Sequence, residues 1–309
     1  MKPENSAELS YEIQKQHHAF DADEAAKIAR ELQGGKVTVD LWRHHRLASL
    51  AVPIIQSFPE ATWVTIGDGK WGWDAHYLTT QGVKTITATD ITEERLKAAK
   101  EVGYIPEYSV ENAEKLSFPD ASFDFAFVKD CASHCPRGYV VLYEMLRVAR
   151  LGIVVVEPYD PRIPLVQNSV LFIQRFFYKL IKRNPDTFNQ SANYVFTFSE
   201  REIEKMALGL HLQAVAFRHV NDHNTKNPAE YAESYSTEAA GYKSFMKQIR
   251  LRNMLTRIGL NPWGRVGAVI LKEHNPAAQR ALEAAGFIYK VLPRNPYLKG
   301  KTEKLTSLP

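Results

Sequence analysis

Between residues 63 and 158 the sequence alternates short apolar runs with amphipathic segments, and this alternation constrains the fold more than any other feature. Runs rich in Val, Ile, Thr and Phe predict strands at 63–66, 84–89, 108–110, 123–129 and 152–157. Helices are predicted between them at 72–81, 92–101 and 137–149. Strands that alternate with helices in this way need right-handed crossovers, so the segment predicts a doubly wound, mainly parallel α/β sheet.

The flanking segments predict further helices and two late strands. One polar helix is predicted over 8–33, ending at a glycine pair, and a second over 40–57. After residue 160 the pattern predicts helices at 163–183, 200–208 and 228–259, and strands at 212–218 and 268–272. Ser199 and Glu202 form a capping-box pattern for the middle helix. The late strands are expected to close the sheet edge as an antiparallel pair, which makes a seven-stranded sheet.

Composition places the chain among ordinary globular proteins. Of its 309 residues 45% are hydrophobic and 24% are charged, which is enough apolar material for a full core. The N-terminus lacks the apolar run of a secretory signal, and the most apolar helical stretch, 165–181, is interrupted by polar residues. The two cysteines lie four residues apart and give no disulfide framework. We therefore expect a cytoplasmic protein without a transmembrane segment.

Charge is distributed unevenly along the chain. The net charge of +4 divides into −7 over residues 1–160 and +11 over residues 161–309. A basic half either attracts an anionic partner or forms a solvated surface, and composition does not decide between these.

A glycine-rich turn follows the first predicted strand. Gly67, Gly69 and Gly72 form a G-x-G-x-x-G pattern, and Asp90 follows 18 residues later at the end of the next strand. Glycines let the backbone approach a ligand at a helix N-terminus, and a carboxylate at that distance accepts hydrogen bonds from ribose hydroxyls. The pattern alone fits a dinucleotide-binding oxidoreductase as well as other nucleoside cofactors. A purely structural tight turn would not explain Asp90.

Two later segments resemble a known family. The run ENAEKLSFPDASFDFAFVKD (111–130) resembles the region after the third strand of class I S-adenosylmethionine-dependent methyltransferases. The run LRVARLGIVVVEP (146–158) resembles their helix leading into the fifth strand. Together with the glycine turn, these segments cover residues 63–158 in the family's order. The resemblance is strongest to the broad small-molecule methyltransferase subgroup.

The resemblance implies a cofactor and residues that bind it. S-adenosylmethionine would be the cofactor and S-adenosylhomocysteine the product. Residues near the amino-acid end would be Gly67, Asp68, Gly69 and Gly72. Asp90 would bind the ribose, and Ile91 would lie against the adenine. Asn112 and Ala113 would recognise the edge of the adenine, and Lys129 would approach the cofactor through its own backbone.

The sequence departs from the family's pattern at three of its positions. Thr65 stands where the family often has an acidic residue, Asn112 replaces the usual Asp, and Trp71 displaces the third glycine by one residue. Trp71 and Trp73 are expected either to face the sulfonium ion or to pack the loop onto its surroundings.

Candidate catalytic residues follow the fourth and fifth strands, where open α/β sheets bind ligands. His134 is the candidate general base, and Asp130 would orient it or contact the cofactor amine. A structural role for His134 is the alternative. Asp160, with Glu157 and Tyr159 beside it, follows the fifth strand as a second candidate. The spacing of these carboxylates demands no metal.

The sequence predicts no catalytic role for most of the other titratable residues. The pairs His17-His18 and His44-His45 point their rings apart on a helix and are predicted at the surface. The alternative places Trp42, Arg43 and His45 over the mouth of the site. Cys131 and Cys135 are predicted as small apolar fillers, since two thiols make no complete zinc site.

The expected domain organisation follows from these assignments. Residues 1–58 would form an N-terminal helical cover and 59–160 the cofactor-binding half of the methyltransferase core. Residues 161–275 would supply helical cap insertions and the last strands, and 276–309 a C-terminal extension.

The expected function is O-methylation of a small-molecule or glycan-type acceptor that is anionic if the basic half binds it. A nucleic-acid acceptor has no support from an RNA-binding module or from aromatic residues among the basic ones. The alternatives are an NAD(P)-dependent oxidoreductase and a catalytically silent cofactor-binding regulatory domain. The oligomeric state does not follow from the sequence.

Overall fold

An eight-stranded sheet forms the centre of the protein. The structure, a computed structural model, describes residues 6–160, 194–223 and 228–298. Its strands are β1 (Thr62–Ile66), β2 (Thr85–Asp90), β3 (Tyr108–Val110), β4 (Phe123–Lys129), β5 (Ala149–Pro158), β6 (Ala214–Val220), β7 (Arg265–Leu271) and β8 (Ile288–Val291). They lie in the order β3-β2-β1-β4-β5-β7-β6-β8.

The sheet has a parallel half and an antiparallel half. Strands β3, β2, β1, β4 and β5 pair in parallel, whereas β7 pairs antiparallel with both β5 and β6, and β8 pairs antiparallel with β6. The predicted mainly parallel sheet and its late antiparallel pair are confirmed. The count of seven strands is one too low in the described residues, because β8 adds a further edge strand. All-parallel dinucleotide-binding sheets have the order 3-2-1-4-5-6, without the antiparallel β7 between the last two strands.

Both faces of the sheet are buried under helices. Along β1 and β4, Trp63, Phe125 and Phe127 face one hydrophobic cluster, while Val64 and Val128 face the other. Successive side chains of a strand point to opposite faces, so each of these strands contributes to both clusters. Such two-sided burial explains why the central strands read as nearly continuous apolar runs.

Eleven α-helices in the described residues surround the sheet and are numbered here in chain order. They are α1 (Ser6–His18), α2 (Ala22–Gln33), α3 (Val39–Ala48), α4 (Val52–Ser57), α5 (Trp73–Thr80), α6 (Glu94–Glu101), α7 (Gly138–Val148), α8 (Glu200–Gly209), α9 (Pro228–Ala232), α10 (Ala240–Arg257) and α11 (Pro276–Ala284). No helix in the described ranges has the length and apolar character needed to cross a membrane.

Several helices are more interrupted than the sequence predicts. The single helix predicted over 8–33 is wrong, because α1 ends at His18 and the side chain of Asp21 caps α2 by accepting from Glu24 N at 2.9 Å. The segment predicted as one helix over 40–57 is divided by a 3₁₀ turn at Ser49–Ala51. The predicted insert at 228–259 consists of α9 and α10.

The Ser199 cap of α8 is confirmed, since its hydroxyl accepts from Glu202 N at 3.2 Å. The predicted helix over 163–183 lies outside the described residues, as does the terminal tail from residue 299. The helical cap is therefore described only in part.

Candidate functional site

The glycine turn between β1 and α5 packs too closely for side chains at two positions. Gly67 and Gly72 have φ angles of +70° and +69°. A Cβ on Gly67 would lie 2.1 Å from Cys131 Sγ, and one on Gly72 would lie 2.6 Å from Ile105 Cγ2. Glycine is therefore required for both backbone conformation and space. The turn consequently lies directly against the loop that follows β4.

Gly69, the second glycine of the turn, leaves room for the carboxylate of Asp90. A Cβ on Gly69 would lie 2.5 Å from Asp90 Oδ2. The other carboxylate oxygen, Oδ1, accepts from the backbone N–H and the hydroxyl of Thr92 at 3.0 and 2.9 Å. Across the described residues, no hydrogen-bond donor reaches Oδ2. Asp90 is thus fixed through one oxygen and presents the other to the cavity that it lines.

Asp68 anchors the helix that follows the turn. Its carboxyl group accepts from Thr65 Oγ1 at 2.9 Å and from the backbone N–H groups of Asp74 and Ala75 at 3.1 and 2.8 Å. Burial, with the nearby Asp74, raises the pKa of Asp68 well above its ordinary value. Asp68 lines the cavity, but its oxygens are engaged with the first turn of α5.

Trp71 packs the glycine turn against the N-terminal helices. Its backbone is left-handed, with φ +58°, and its indole Nε1 donates to Ala25 O at 3.1 Å. Its ring makes an edge contact with Phe20 at 5.4 Å. The packing alternative is thus the one that the structure shows for Trp71. Trp73 lines the cavity, with Lys70 Nζ 4.9 Å from its ring centroid.

The region predicted for adenine recognition is only partly assembled at the cavity. Ile91 and Ala113 line it, and so does Glu111. Asn112 does not: its Oδ1 accepts from Glu114 N at 2.9 Å and so holds its own turn. The Asn112 side chain is therefore not placed for the contact that the resemblance implies.

Lys129 lines the cavity, and its ammonium group contacts two buried neighbours. Its ammonium lies 3.0 Å from Asp74 Oδ1 and 2.8 Å from His44 Nδ1. Burial opposes its charge, but Asp74 and Asp130 raise the pKa of Lys129 above its ordinary value. Burial and the cations Lys129, Lys70 and Arg43 lower the pKa of His44 well below its usual range. The wall therefore contains a charged lysine beside a neutral histidine.

The loop after β4 brings Asp130 and His134 to the same cavity. Asp130 has φ +54°, and its carboxylate forms an ion pair with Arg265. His134 N donates to Cys131 O at 2.9 Å, and the half-buried ring of His134 lines the cavity. Burial lowers the pKa of His134, and Asp130 partly opposes this. The imidazole is therefore neutral at pH 7, the form that accepts a proton.

Glu157 holds this loop in place from beneath. Its side chain is fully buried at the end of β5. Its carboxyl oxygens accept from the backbone N–H groups of Cys131, Ala132 and Ser133 at 3.0, 2.9 and 3.3 Å. Burial and the nearby Asp130 raise the pKa of Glu157 to about 7. Glu157 therefore supports the loop and does not line the cavity.

This raised pKa predicts a pH dependence of stability. Because the pKa of Glu157 is higher in the folded protein than its ordinary value of 4.5, stability from this group is complete below pH 4.5 and is lost as pH rises to about 7. The loss is about 3 kcal/mol. Urea unfolding of wild type and Glu157→Gln should be measured from pH 4.5 to 7.5. We expect the free energy of unfolding of the wild type to fall by about that amount relative to Glu157→Gln as pH rises. Parallel curves would contradict the assignment.

Asp160 is not brought together with the other candidate catalytic residues. It lines a separate cavity of about 460 Å³ with Tyr159, Glu200 and Lys290. Its backbone N donates to Phe198 O at 2.9 Å, and Tyr159 forms a parallel bridge with Phe198. This pairing directs the chain after β5 away from the larger cavity. A catalytic role for Asp160 has no geometric support here.

Helices α1 and α3 supply cavity residues, of which the sequence indicated only Arg43. Tyr11, Gln14 and His18 line the cavity from α1, and Arg43 and His44 from α3. The surface prediction for His44 is therefore wrong, because its side chain is buried, whereas His18 lines the cavity and is exposed as predicted. Trp42 and His45 do not line the cavity. The burial of His44 has no signal in the sequence, because it follows from the packing of α3 against α5 and not from a local pattern.

Together these residues enclose a cavity of about 490 Å³ at the carboxyl ends of β1, β2 and β4. The glycine turn and Asp90 form one end of its wall, and Arg43, Asp130 and Arg265 also line it. A pocket of this size and position is typical of a nucleoside cofactor with a small second substrate.

One family model and several solved structures are similar to this chain. Residues 64–156 match the family model described as a methyltransferase domain. No curated protein matches the chain. The YcgJ protein from Bacillus subtilis is 19% identical, with 75% of this chain and 100% of that chain covered and a TM-score of 0.47.

Two further solved structures are similar at low identity. A methyltransferase from Methanosarcina mazei is 19% identical, with 72% of this chain and 98% of that chain covered and a TM-score of 0.44. The 1,6-didemethyltoxoflavin-N1-methyltransferase from Burkholderia thailandensis, solved with S-adenosylhomocysteine, is 14% identical. It covers 81% of this chain and 87% of its own, with a TM-score of 0.43.

The residues present fit S-adenosylmethionine. The side-chain-free surface at Gly69 leaves Asp90 Oδ2 accessible to a ribose, and Ile91 and Ala113 offer apolar contacts for an adenine. The antiparallel β7 distinguishes the sheet from an all-parallel dinucleotide-binding fold. Residues 64–156 therefore match a methyltransferase domain, and the cavity residues fit S-adenosylmethionine as its cofactor.

Proposed function

We propose that the protein transfers the methyl group of S-adenosylmethionine to a hydroxyl oxygen of a small-molecule or glycan-type acceptor, with His134 as general base. The observation that carries this proposal is that His134 lines the same cavity as the glycine turn and Asp90. A hydroxyl acceptor must lose its proton during transfer, and a neutral imidazole suits this task. An amine acceptor that arrives uncharged would not need such a base.

Cofactor binding is assigned to the wall formed by β1, β2 and the segment after β3. Asp90 Oδ2 would accept from the ribose hydroxyls, and Ile91 and Ala113 would contact the adenine. Gly67 and Gly69 would allow backbone approach to the amino-acid end. Bound there, S-adenosylmethionine supplies a methyl carbon that its sulfonium ion activates for in-line displacement.

The chain's own residues then have three tasks: alignment, exclusion of water and proton removal. The first helix covers the cavity with Tyr11, Gln14 and His18, and Gln14 Nε2 donates to His134 O at 3.0 Å. Glu157 fixes the loop from the opposite side through its three backbone hydrogen bonds. His134 is thus held between α1 and the end of β5. Its ring lies at the cavity, where it would take the proton of the hydroxyl.

Product formation and cofactor binding test the proposal together. Calorimetric titration should show binding of S-adenosylmethionine and S-adenosylhomocysteine and no binding of NAD(P)H. Release of S-adenosylhomocysteine should then be measured with matched acceptor panels that carry hydroxyl, amine or thiol groups. We expect turnover with hydroxyl acceptors. Turnover restricted to amines would refute O-methylation, and cofactor binding without turnover in any panel would indicate the silent-domain alternative.

A further inference from the structure

Three arginines converge on one buried carboxylate beside the cavity. Arg43 Nη1 lies 2.6 Å from Asp222 Oδ2, Arg46 Nη2 lies 3.1 Å from Asp222 Oδ1, and Arg265 Nη2 lies 3.9 Å from Asp222 Oδ2. The side chain of Asp222 is only 6% exposed. These three arginines with Asp222 are called the arginine cluster below. Two of them, Arg43 and Arg265, line the cavity.

The cluster carries more positive than negative charge. Burial lowers the pKa of Arg46. The positive charges of Arg43 and Arg265 lower that pKa as well, and Asp222 raises it. The remaining ion pairs of the wall do not balance this. Three acids near the cluster are already paired: Asp130 with Arg265, Asp40 with Arg43 and Lys70, and Asp74 with Lys129. The arginine cluster and its ion-pair partners therefore place four cations, Arg43, Arg46, Arg265 and Lys70, against three carboxylates, Asp40, Asp130 and Asp222. The other acids that line the cavity, among them Asp90 and Glu111, belong to its cofactor end.

Such an excess of positive charge is costly where side chains are shielded from water, as those of Arg43 and Asp222 are at 8% and 6% exposure. Like charges repel more strongly where the effective dielectric constant is low, and an additional anion at the cavity surface would relieve that repulsion. Arginine presents a planar fork of N–H donors that matches the oxygens of a carboxylate or phosphate. The cluster thus has the charge and the donors of an oxyanion site.

The position of Arg265 separates this site from the cofactor-binding residues. Arg265 is the first residue of β7, where it pairs with Pro158 of β5 and Val220 of β6. Asp90 ends β2, on the other side of β1 and β4 in the sheet order. The arginine cluster therefore approaches the cavity from the antiparallel half, whereas the ribose-binding carboxylate approaches it from the parallel half.

We propose that Arg43 and Arg265 bind an anionic group, a carboxylate or a phosphate, carried by the methyl acceptor. This rests on the proposed function, since it assigns the acceptor end of the same cavity. The acceptor is accordingly a small hydroxyl compound with an acid group. The acid binds at the arginine cluster, and the hydroxyl lies towards His134.

Inorganic phosphate tests the site without turnover. Phosphate should bind the S-adenosylhomocysteine-loaded protein in calorimetric titration. Arg265→Gln should weaken that binding at least 10-fold, Arg265→Lys should weaken it less, and Arg250→Gln, the same charge change at an exposed position on α10, should leave it within 2-fold. S-adenosylhomocysteine affinity and thermal unfolding establish that each variant is folded. If Arg265→Gln does not fold, Arg43→Gln is the second variant of a cavity arginine.

Two binding results would overturn the proposal. Phosphate that binds the empty protein but is displaced by S-adenosylhomocysteine would assign the site to the cofactor's own carboxylate. Phosphate affinity that falls equally in Arg250→Gln and Arg265→Gln would show a diffuse effect of surface charge. Because neither result depends on methyl transfer, this arm succeeds or fails independently of the proposed O-methylation.

Matched acceptor compounds test the same proposal through turnover. Hydroxyl compounds should be compared as pairs in which a carboxylate is replaced by its primary amide, with S-adenosylhomocysteine release as the readout. We expect kcat/KM at least 10-fold higher for the acid in wild type, and that preference should disappear in Arg265→Gln. Equal kcat/KM for both members of every active pair would refute the anionic acceptor while leaving O-methylation intact.

Discussion

Replacing His134 by alanine is expected to lower kcat for a hydroxyl acceptor by about 10²- to 10⁴-fold, the usual contribution of a positioned base. The affinity for S-adenosylhomocysteine should remain within a few-fold of wild type, because the residues assigned to the ribose and adenine lie on other elements. Single-turnover rates should be measured at saturating cofactor, so that the effect is assigned to transfer itself. His134→Gln should lose as much activity, since it keeps polarity and approximate size but not basicity.

The pH profile distinguishes a base from a structural histidine. Burial lowers the pKa of His134 below its ordinary value of 6.5, so activity should fall on the acidic side below that value. This acidic limb should be absent from the residual activity of His134→Ala. His274→Ala is the matched control, because His274 is also half-buried but does not line the cavity. A His134 variant with turnover within a few-fold of wild type would return the residue to a structural role.

The parallel part of the fold follows from local sequence patterns. Strands β3 and β4 begin and end as predicted, and the other predicted strands overlap the observed ones. Central strands are covered on both faces, so their apolar runs need no partner to be recognised. Strand β8 was missed because it is a short edge strand whose side chains are half-buried or exposed. Its pairing with β6 is a long-range contact without a strong local pattern.

The break between α1 and α2 had a signal that the sequence analysis did not use. Asp21 and Glu24 have the spacing of a helix N-cap, and the structure shows Asp21 capping α2. The amphipathic pattern continued across the break and concealed it. Consequently α1 was not separated from α2 as an element that can lie over the cavity by itself.

Residues of a contiguous motif meet at the cavity as their spacing predicts, whereas residues that converge only through packing were not predicted to meet. Gly67, Gly69 and Asp90 belong to one strand–turn–helix–strand unit, so their spacing placed them together. Arg43 and Arg265 lie 222 positions apart and meet only because α3 packs near the start of β7. Asp160 shows the opposite case, since its position after a parallel strand predicted the cavity but the bridge to Phe198 directs it elsewhere.

Replacing Asp90 by alanine is expected to weaken cofactor binding strongly. A hydrogen bond to a charged group contributes about 1.5–3 kcal/mol, so loss of one ribose contact should weaken binding by about 10- to 150-fold. The affinity for S-adenosylhomocysteine should be measured by calorimetry. Asp90→Asn should have an intermediate effect, because an amide oxygen still accepts but carries no charge.

The contact between Asp90 and Thr92 requires its own control, since Asp90 Oδ1 also holds the turn after β2. Thr92→Ala removes the hydroxyl of that contact while leaving Asp90 Oδ2 at the cavity. If the ribose assignment is correct, Thr92→Ala should bind S-adenosylhomocysteine within a few-fold of wild type. An analogue without the ribose hydroxyls should bind wild type and Asp90→Ala with equal affinity, because Oδ2 has no donor to lose. A large loss for that analogue in Asp90→Ala would instead mean that Asp90 acts by shaping the turn.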